Sequence, residues 1–312
     1  MLFFYLKAWY TVYWYSVYPC RSFRKGVKLL RKTLKPYLFL LPMLVFAIGF
    51  YYYPAIRTFI YSISRVNAQG KIVGFAGLEN FHYLFERPDF KTALVNTLKL
   101  VLVNTPVTVV ITVLLARLCA RKKPGHSVYE LLYSLPMAVS MSAAALMFKM
   151  LLSPVASPVN AFLGLNTDWL GSGNTAMWGI VSLTIWMGLG FNYLLFLSAF
   201  RNVSQSMLEA AQMDGAGCIR RFFHIELPAI APTLFYVICT NLVQAIMTSG
   251  PIIILTDGGP ARSTTTMIFM MYSSGYGSSN YSLAACISLV TFLMTLLFTI
   301  GAFALEGKKV RE

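Results

Sequence analysis

Six long apolar runs constrain the fold of this sequence more than any other feature. They lie near residues 37–60, 92–116, 128–151, 176–199, 229–253 and 282–305. A helix needs about 20 mainly apolar residues to cross the hydrocarbon core of a bilayer, and a buried helix of a globular protein does not explain so many runs of this length. Only 12% of the 312 residues are charged, which is about half the share in a soluble domain. We therefore predict an all-α polytopic membrane protein with six transmembrane helices.

The positive charge is distributed in a pattern that predicts orientation. The net charge is +15, from 26 Lys and Arg against 11 Asp and Glu. Instead of forming a nucleic-acid surface, the cations flank the apolar runs, in segments 7–35, 117–123, 201–221 and 308–311. Cytoplasmic connections of membrane proteins are enriched in Lys and Arg. We expect a multi-pass protein of the cell (cytoplasmic) membrane with both termini in the cytoplasm, a lipid bilayer around it and no nucleic-acid partner.

These patterns divide the chain into four parts. Residues 1–36 form a basic, aromatic-rich segment, 37–91 hold the first helix and an extracellular loop, 92–305 hold the remaining five helices, and 306–312 form a cytoplasmic tail. The first 20 residues lack the cleavage site of a signal peptide. Their Tyr, Phe and Trp content suits a helix at the membrane interface, and a poorly ordered extension fits equally well.

A polar insert at 204–228 separates the fourth and fifth apolar runs. Ser206 and Glu209 have the spacing of a capping box, which predicts a helix start at Ser206. Gly215 and Gly217 are suited to ending that helix in a turn. A second short helix is expected from Cys218 to Glu226, stopped by Leu227-Pro228. From spacing alone, a docking element and an ordinary connection are equally compatible with this insert.

The insert resembles the EAA loop of the MetI-like transmembrane domain of type I ABC importer permeases. The matching residues are Glu209, Ala210, Ala211, Asp214, Gly215, Ala216, Phe222, Ile225, Leu227, Pro228 and Pro232. A second match, Leu255 to Pro260 followed by Thr264 to Thr266, resembles a segment of the carbohydrate-importing subfamily, which includes glycerol-3-phosphate importers. Asn96-Thr97-Leu98 resembles the opening of the family's core domain.

The resemblance implies that the insert is a coupling loop held in a cleft of a cytoplasmic ATPase. Glu209 would make the ionic contact there, and Gly215 would supply the bend. Ala210 and Ala211 would permit close approach, while three apolar residues would anchor the second helix to the permease body, namely Phe222, Ile225 and Leu227. The implied partners are a second homologous permease subunit, two ATP-binding subunits, and an extracellular or periplasmic solute-binding protein.

The sequence shows no catalytic motif. It lacks the P-loop pattern that holds ATP phosphates, and it lacks the HExxH and GxSxG patterns. Five scattered cysteines and three histidines show no zinc spacing. We therefore expect no catalytic residue, metal or cofactor in this chain, and we expect ATP and Mg²⁺ to be bound by the partner ATPase.

Polar residues inside the apolar runs are candidates for a substrate pathway, because such groups are costly in a membrane unless they are used or paired. Asn241, Gln244 and Thr248 have the i, i+3, i+7 spacing of one helix face. Asn192 and Tyr193 in the fourth run are further candidates. Polar contacts between helices are the alternative explanation. Lys99 and Lys149 are expected to extend toward the interface, or to pair with a phosphate on the substrate.

These features predict the permease subunit of an ATP-driven importer that translocates a sugar or oligosaccharide. The alternative substrate is sn-glycerol 3-phosphate or a glycerophosphodiester. An ion-coupled secondary carrier is less compatible with the sequence, because such carriers often use membrane-embedded acids and the acids here lie mainly outside the apolar runs. A scaffold or receptor without transport activity does not account for the coupling loop.

Overall fold

A computed structural model describes residues 39–120, 125–155 and 157–309. The predicted N-terminal segment 1–36 and the basic residues at 121–123 lie outside these ranges. Two short strands, β1 (Ser64–Val66) and β2 (Ile72–Phe75), form an antiparallel hairpin that the all-α prediction omitted. The helices are α1 (Phe39–Ser62), α2 (Glu79–Glu86), α3 (Pro88–Ala120), α4 (His126–Ser134), α5 (Met141–Leu151), α6 (Pro158–Leu163), α7 (Ala176–Arg201), α8 (Gln205–Met213), α9 (Cys218–Ala229), α10 (Ala231–Ile246), α11 (Gly250–Leu255), α12 (Met267–Tyr272) and α13 (Tyr281–Lys309).

The chain divides into two compact units, residues 1–57 and 58–312. The described part of the first unit is helical, with a π-helical turn at Ile48–Tyr52. Its apolar side chains are exposed, including Phe46 and Phe50, whose rings stack with centroids 5.9 Å apart. An apolar, unburied surface of this kind suits a lipid environment.

The six predicted spans are recovered when bent helices are counted. Among the described residues, four helices are long and apolar enough to cross a membrane: α1, α3, α7 and α13. When each of two bent helix pairs is counted as one span, the number rises to six, which is the predicted number. The last helix runs to Lys309, so the predicted tail at 306–312 begins within the helix rather than after it.

The third span, predicted near 128–151, is bent by 102°. A 3-10 turn at Leu135–Ala138, which contains Pro136, ends the α4 segment. Ser140 then starts α5 by accepting a hydrogen bond from the backbone N–H of Ala143. The turn packs closely on α7, because a Cβ added at Gly190 would lie 2.7 Å from the backbone nitrogen of Met137.

The fifth span, predicted near 229–253, is also interrupted. The axes of α9 and α10 differ by 73°, and α10 ends at Ile246 before α11 starts at Gly250. Leu227-Pro228 does not stop α9, which continues to Ala229. Since Pro228 falls in the first turn after a π-helical stretch at Phe222–Glu226, its missing N–H is tolerated there.

The long helix α3 lies at the centre of the second unit. It packs along α7 and α10, and its buried face carries Asn96, Thr97, Asn104, Thr105, Thr108 and Thr112 among small and branched apolar residues. Both the coupling segment, defined as residues 204–228, and the outer segment, defined as residues 255–267, make contacts with the ends of this helix. Helix α3 therefore positions both motif-bearing segments.

Candidate functional site

The coupling segment consists of two short helices at a sharp turn. Gly215 adopts φ +76°, a left-handed conformation that glycine takes without strain. Gly217 is extended instead, with φ −64° and ψ 167°, and precedes α9. The predicted capping box was wrong: α8 begins at Gln205 after Ser204, and no side chain caps it.

Most of α8 is exposed. Glu209 is exposed and accepts a hydrogen bond from Gln205 Nε2 at 3.0 Å. Ala210 and Asp214 are exposed, while Ala211 and Ala216 are half-buried. Arg221 Nη1 donates to Gln212 Oε1 at 3.0 Å and so links the two short helices. The first helix therefore presents an acidic, small-residue surface that the rest of the described fold does not cover.

Helix α9 is joined to the body of the protein. Phe222 and Leu227 pack against the buried cluster that contains Ile230, and Ile225 is half-buried. Pro228 is exposed within the helical run. The apolar residues that resemblance assigned to anchoring thus include two that contact the core.

Two charged residues that the sequence analysis missed complete this anchor. Arg117 Nε, near the end of α3, donates to Glu226 Oε2 at 2.5 Å. Arg117 Nη2 donates to the backbone oxygen of Cys218 at 3.0 Å, and the guanidinium lies 4.5 Å from the ring centroid of Phe222. The available signals were a basic residue at the end of a predicted span and an acid at the end of the second short helix predicted for residues 218–226. A second pair, Arg201–Glu130, joins the end of α7 to α4.

A cavity of about 370 Å³ lies between α3, the 3-10 turn at Leu135–Ala138, α5, α7, α10 and α11. Asn104 and Thr184 contribute polar groups to its lining. Four residues of the predicted pathway also line it: Asn192, Asn241, Gln244 and Thr248. Asn192 Nδ2 donates to Asn241 Oδ1 at 3.0 Å. Thr184 Oγ1 donates to Asn104 Oδ1 at 2.8 Å. Within the described residues, the lining of this cavity contains amides, hydroxyls and apolar groups and no charged side chain.

The predicted pathway residues are not equivalent in the structure. Asn241 and Gln244 lie on α10, whereas Thr248 follows the end of that helix and donates to the backbone oxygen of Gln244 at 2.9 Å. Tyr193 does not line the cavity. It is fully buried in the cluster with Phe196 and packs against Tyr133, with ring centroids 5.4 Å apart.

The two intramembrane lysines also lie outside the cavity lining. Lys99 is exposed on α3. Lys149 Nζ donates to the backbone oxygen of Ile254 at 3.1 Å, near the C-terminal end of α11. This bond satisfies a carbonyl at a helix end, where a cation is favourable. The structure therefore gives Lys149 a partner within the chain.

The outer segment is bound to the N-terminal end of α3. Asn96 Nδ2 donates to the backbone oxygens of Arg262 and Thr265, at 3.1 and 3.0 Å. Thr97 Oγ1 accepts from the backbone N–H of Met267 at 2.9 Å. These bonds connect the Asn96-Thr97-Leu98 motif with the Thr264 to Thr266 motif.

Charged residues border a second cavity, of about 700 Å³, beside the outer segment. Asp89 pairs with both Arg87, at 2.8 Å, and Arg262. Arg87 donates a hydrogen bond to the Asp89 carboxylate, and this bond raises the pKa of Arg87 above its ordinary value. The guanidinium of Arg87 also lies 5.5 Å from the ring centroid of Tyr83.

A bundle of broken membrane helices with a cavity lined by amides and hydroxyls and an exposed two-helix projection defines a membrane transport subunit. Residues 96–309 match the family described as "Binding-protein-dependent transport system inner membrane component". The chain belongs to this family, and it is a permease subunit of an ABC importer.

Relatives and solved structures agree with this assignment. The chain is 34% identical to an sn-glycerol-3-phosphate transport system permease protein of Salmonella choleraesuis, over 88% of this chain and 95% of that protein. The corresponding protein of Pectobacterium atrosepticum is 32% identical, over 90% and 96%. A chain of a bacterial alginate ABC transporter, in complex with an alginate pentasaccharide-bound periplasmic protein, superposes with a TM-score of 0.76 at 24% identity. That match covers 88% of this chain and 95% of the other and shows a shared fold.

Proposed function

We propose that this subunit imports a carbohydrate and that partner ATPases drive it through the coupling segment. The observation that carries the proposal is the exposed projection of α8, whose companion α9 is anchored to α3 by Arg117. An exposed acid on a rigidly held helix is suited to an ionic contact with a separate subunit. ATP and Mg²⁺ would be bound by that partner, and the residues of this chain would convert its motion into a change of access.

The proposed assembly has two permeases, two ATP-binding subunits and a solute-binding protein. One coupling segment in this chain engages one ATPase, so a pair of permeases is required for two. The Lys and Arg distribution supports placement of the coupling segment and both termini in the cytoplasm. The alginate transporter structure includes a periplasmic protein, which supports a binding protein on the opposite side.

The lining of the 370 Å³ cavity supports a neutral, hydroxylated substrate. Amides and hydroxyls can donate to and accept from sugar hydroxyls, and Met137, Met187 and Phe191 provide apolar surfaces against which sugar C–H groups can pack. In such a site the substrate must bind differently to the two access states, because a ligand shifts an equilibrium only by its differential affinity. The break between α10 and α11 lies beside Thr248 and would allow the lining to rearrange.

A second candidate substrate is sn-glycerol 3-phosphate, favoured by the 34% identity to permeases named for that solute. A phosphate needs charge-assisted donors when it leaves water. The described cavity lining offers amide and hydroxyl donors in place of a cation, so a charge from the second permease would be required. Carbohydrate is therefore the leading proposal.

The coupling role is tested by Glu209→Ala in the complete importer. We expect uptake to fall about tenfold or more, the range of typical coupling energies, with membrane insertion unchanged and less ATPase co-purifying. Gln205→Ala is the matched control, since it removes the partner of Glu209 on the same helix and keeps the acid. Normal uptake in the Glu209 variant would contradict the coupling role.

The substrate class is tested by purifying the chain with its partners and measuring ATPase activity and uptake with glucose, a maltodextrin mixture and sn-glycerol 3-phosphate. Gln244→Leu should raise the KM for the transported solute about fivefold, because a hydrogen bond is worth about 1 kcal/mol. Thr240→Ala is the control, since Thr240 bonds within its own helix and does not line the cavity. An unchanged KM in the Gln244 variant would favour the alternative that these residues serve only helix contacts.

A further inference from the structure

Arg117 contacts the coupling segment at three points of α9. Its Nε bonds Glu226 Oε2 at 2.5 Å, its Nη2 bonds the backbone oxygen of Cys218 at 3.0 Å, and its guanidinium lies 4.5 Å from the Phe222 ring centroid. These partners span two turns of α9, from Cys218 to Glu226. A planar guanidinium with donors in fixed directions restricts rotation as well as separation. Arg117 therefore fixes the orientation of α9 against α3.

The joint is mostly shielded from solvent. The Glu226 side chain is 11% exposed and the Arg117 side chain is 23% exposed. Charge-assisted hydrogen bonds are stronger in such surroundings than in water. A buried acid without its cation would also be unfavourable there. Movement of α9 away from α3 would therefore be strongly opposed.

The opposite end of α3 holds the outer segment. Asn96 bonds the backbone oxygens of Arg262 and Thr265, Thr97 bonds the backbone N–H of Met267, and Asp89 pairs with Arg262. Asp89 and Arg117 are separated by 28 residues of one helix, which corresponds to about 42 Å at 1.5 Å per residue. This distance is comparable to the full thickness of a bilayer, about 40–45 Å. One helix thus connects the coupling segment with the outer segment.

We infer that Arg117 is the positioning residue that makes the coupling segment and α3 move together, so that displacement of α8 and α9 reaches the outer segment. The inference rests on the proposed coupling function. Arg117 acts through Glu226, Cys218 and Phe222, and it needs no contact with the solute or with ATP. Breaking the joint should leave ATP hydrolysis running while access to the pathway no longer follows it.

The test is Arg117→Met in the complete importer, reconstituted with its ATPases and binding protein. Uptake of radiolabelled maltodextrin or sn-glycerol 3-phosphate, whichever the unsubstituted importer transports, is measured beside ATP hydrolysis. We expect uptake to fall about tenfold while ATPase activity changes less than about twofold, so that ATP consumed per solute rises about fivefold or more. Parallel falls in uptake and hydrolysis, or unchanged uptake, would overturn the inference.

Further variants keep the test decisive if Arg117→Met assembles poorly. Arg117→Lys retains a cation for Glu226 but loses the forked contact with Cys218, and it should raise ATP per solute by a smaller factor. The exchange Arg117→Glu with Glu226→Arg should restore part of the coupling lost in Arg117→Glu alone. If Arg117→Lys and Arg117→Glu both keep the ATP-to-solute ratio of the unsubstituted importer, the inference is wrong.

Arg201→Met is the matched control. Arg201 pairs with Glu130 and has similar exposure, 30% against 23% for Arg117, but it joins α7 to α4 rather than α9 to α3. We expect its ATP-to-solute ratio to stay within about twofold of the unsubstituted importer. An equal rise in both variants would remove the special role of Arg117.

The two proposals fail differently. If Glu209→Ala retains uptake, the coupling function itself is wrong. If Glu209→Ala loses uptake while Arg117→Met retains both uptake and the normal ratio, the coupling function stands and the inference about Arg117 fails.

Discussion

The two ends of α3 are joined to their neighbouring segments by different chemistry. At the C-terminal end, the Arg117–Glu226 pair is 23% and 11% exposed. At the N-terminal end, Arg262 is 60% exposed and pairs with Asp89, which is 16% exposed and keeps Arg87 as a second cation. Exposed ion pairs contribute little because water and salt screen them, whereas removing one partner of a buried pair leaves an uncompensated charge. We call the contacts of Arg117 with α9 the inner joint and the contacts of the N-terminal end of α3 with residues 255–267 the outer joint. Charge therefore contributes more to the stability of the inner joint than to that of the outer joint.

Neutral hydrogen bonds provide most of the outer joint. The Asn96 amide donates to two backbone carbonyls, and the Thr97 hydroxyl accepts from a backbone N–H. Asn96 and Thr97 are buried, so these bonds do not depend on salt. All contacts of the inner joint are made by one side chain, so a single substitution can remove them. The outer joint is made by several groups, so a single substitution should remove only part of its contacts.

The largest expected effect is on the inner joint. Arg117→Met should lower the free energy of unfolding by about 3 kcal/mol, because it leaves Glu226 buried without a cation. Chemical denaturation of the detergent-solubilised chain measures this change. The double variant Arg117→Met with Glu226→Leu should recover most of the loss, since an apolar pair of similar volume replaces the ions. A loss below about 1 kcal/mol in the single variant would contradict the comparison.

An intermediate effect is expected for the neutral part of the outer joint. Asn96→Ala should cost about 2 kcal/mol by leaving two backbone carbonyls without their donor. Hydrogen exchange should then become faster in the outer segment, and the change should be the same at low and high salt. Asn80→Ala is the matched control, because Asn80 also donates to two carbonyls but in the hairpin region. Equal acceleration of the outer segment in both variants would show that Asn96 has no local role.

The smallest effect is expected for the Arg262–Asp89 pair of the outer joint, because Arg262 is 60% exposed and Asp89 keeps Arg87 as a second cation. Arg262→Met should cost less than about 1 kcal/mol, and high salt should reduce the difference further. Arg65→Met offers a comparison, because Arg65 is 61% exposed and pairs with Glu79 at 2.6 Å. If Arg262→Met lowers the free energy of unfolding as much as Asn96→Ala does, the ion pair contributes as much to the outer joint as the neutral hydrogen bonds, and the comparison is wrong.

Residue patterns predicted the number of spans and the two short helices of residues 204–228 well. Hydropathy is informative because each span must satisfy its backbone internally and present apolar side chains to lipid. The turn at Gly215 was also accessible, since few residues adopt its left-handed backbone. Helix ends were less predictable: Ser206 had the spacing of a cap, yet the helix starts one residue earlier.

Interruptions within spans needed tertiary information. Pro136 and Pro228 are both prolines in helical runs, and a sharp bend follows each of them, of 102° within the third predicted span and of 73° at the start of the fifth. Close packing of the 3-10 turn on Gly190 supports the first of these bends. Similarly, Asn192 and Tyr193 are neighbours in sequence, and the structure places one in the cavity and the other in an aromatic cluster.

The sequence by itself determined a six-span permease with a polar coupling segment, because hydropathy, charge bias and short motifs are local properties of the chain. Only the tertiary structure decided how the coupling segment is attached to α3. Arg117 and Glu226 are 109 residues apart in sequence, and Asn96 reaches a carbonyl 169 residues away. No local pattern specifies such pairs, since they form only when α3 packs against the segments that precede and follow α10.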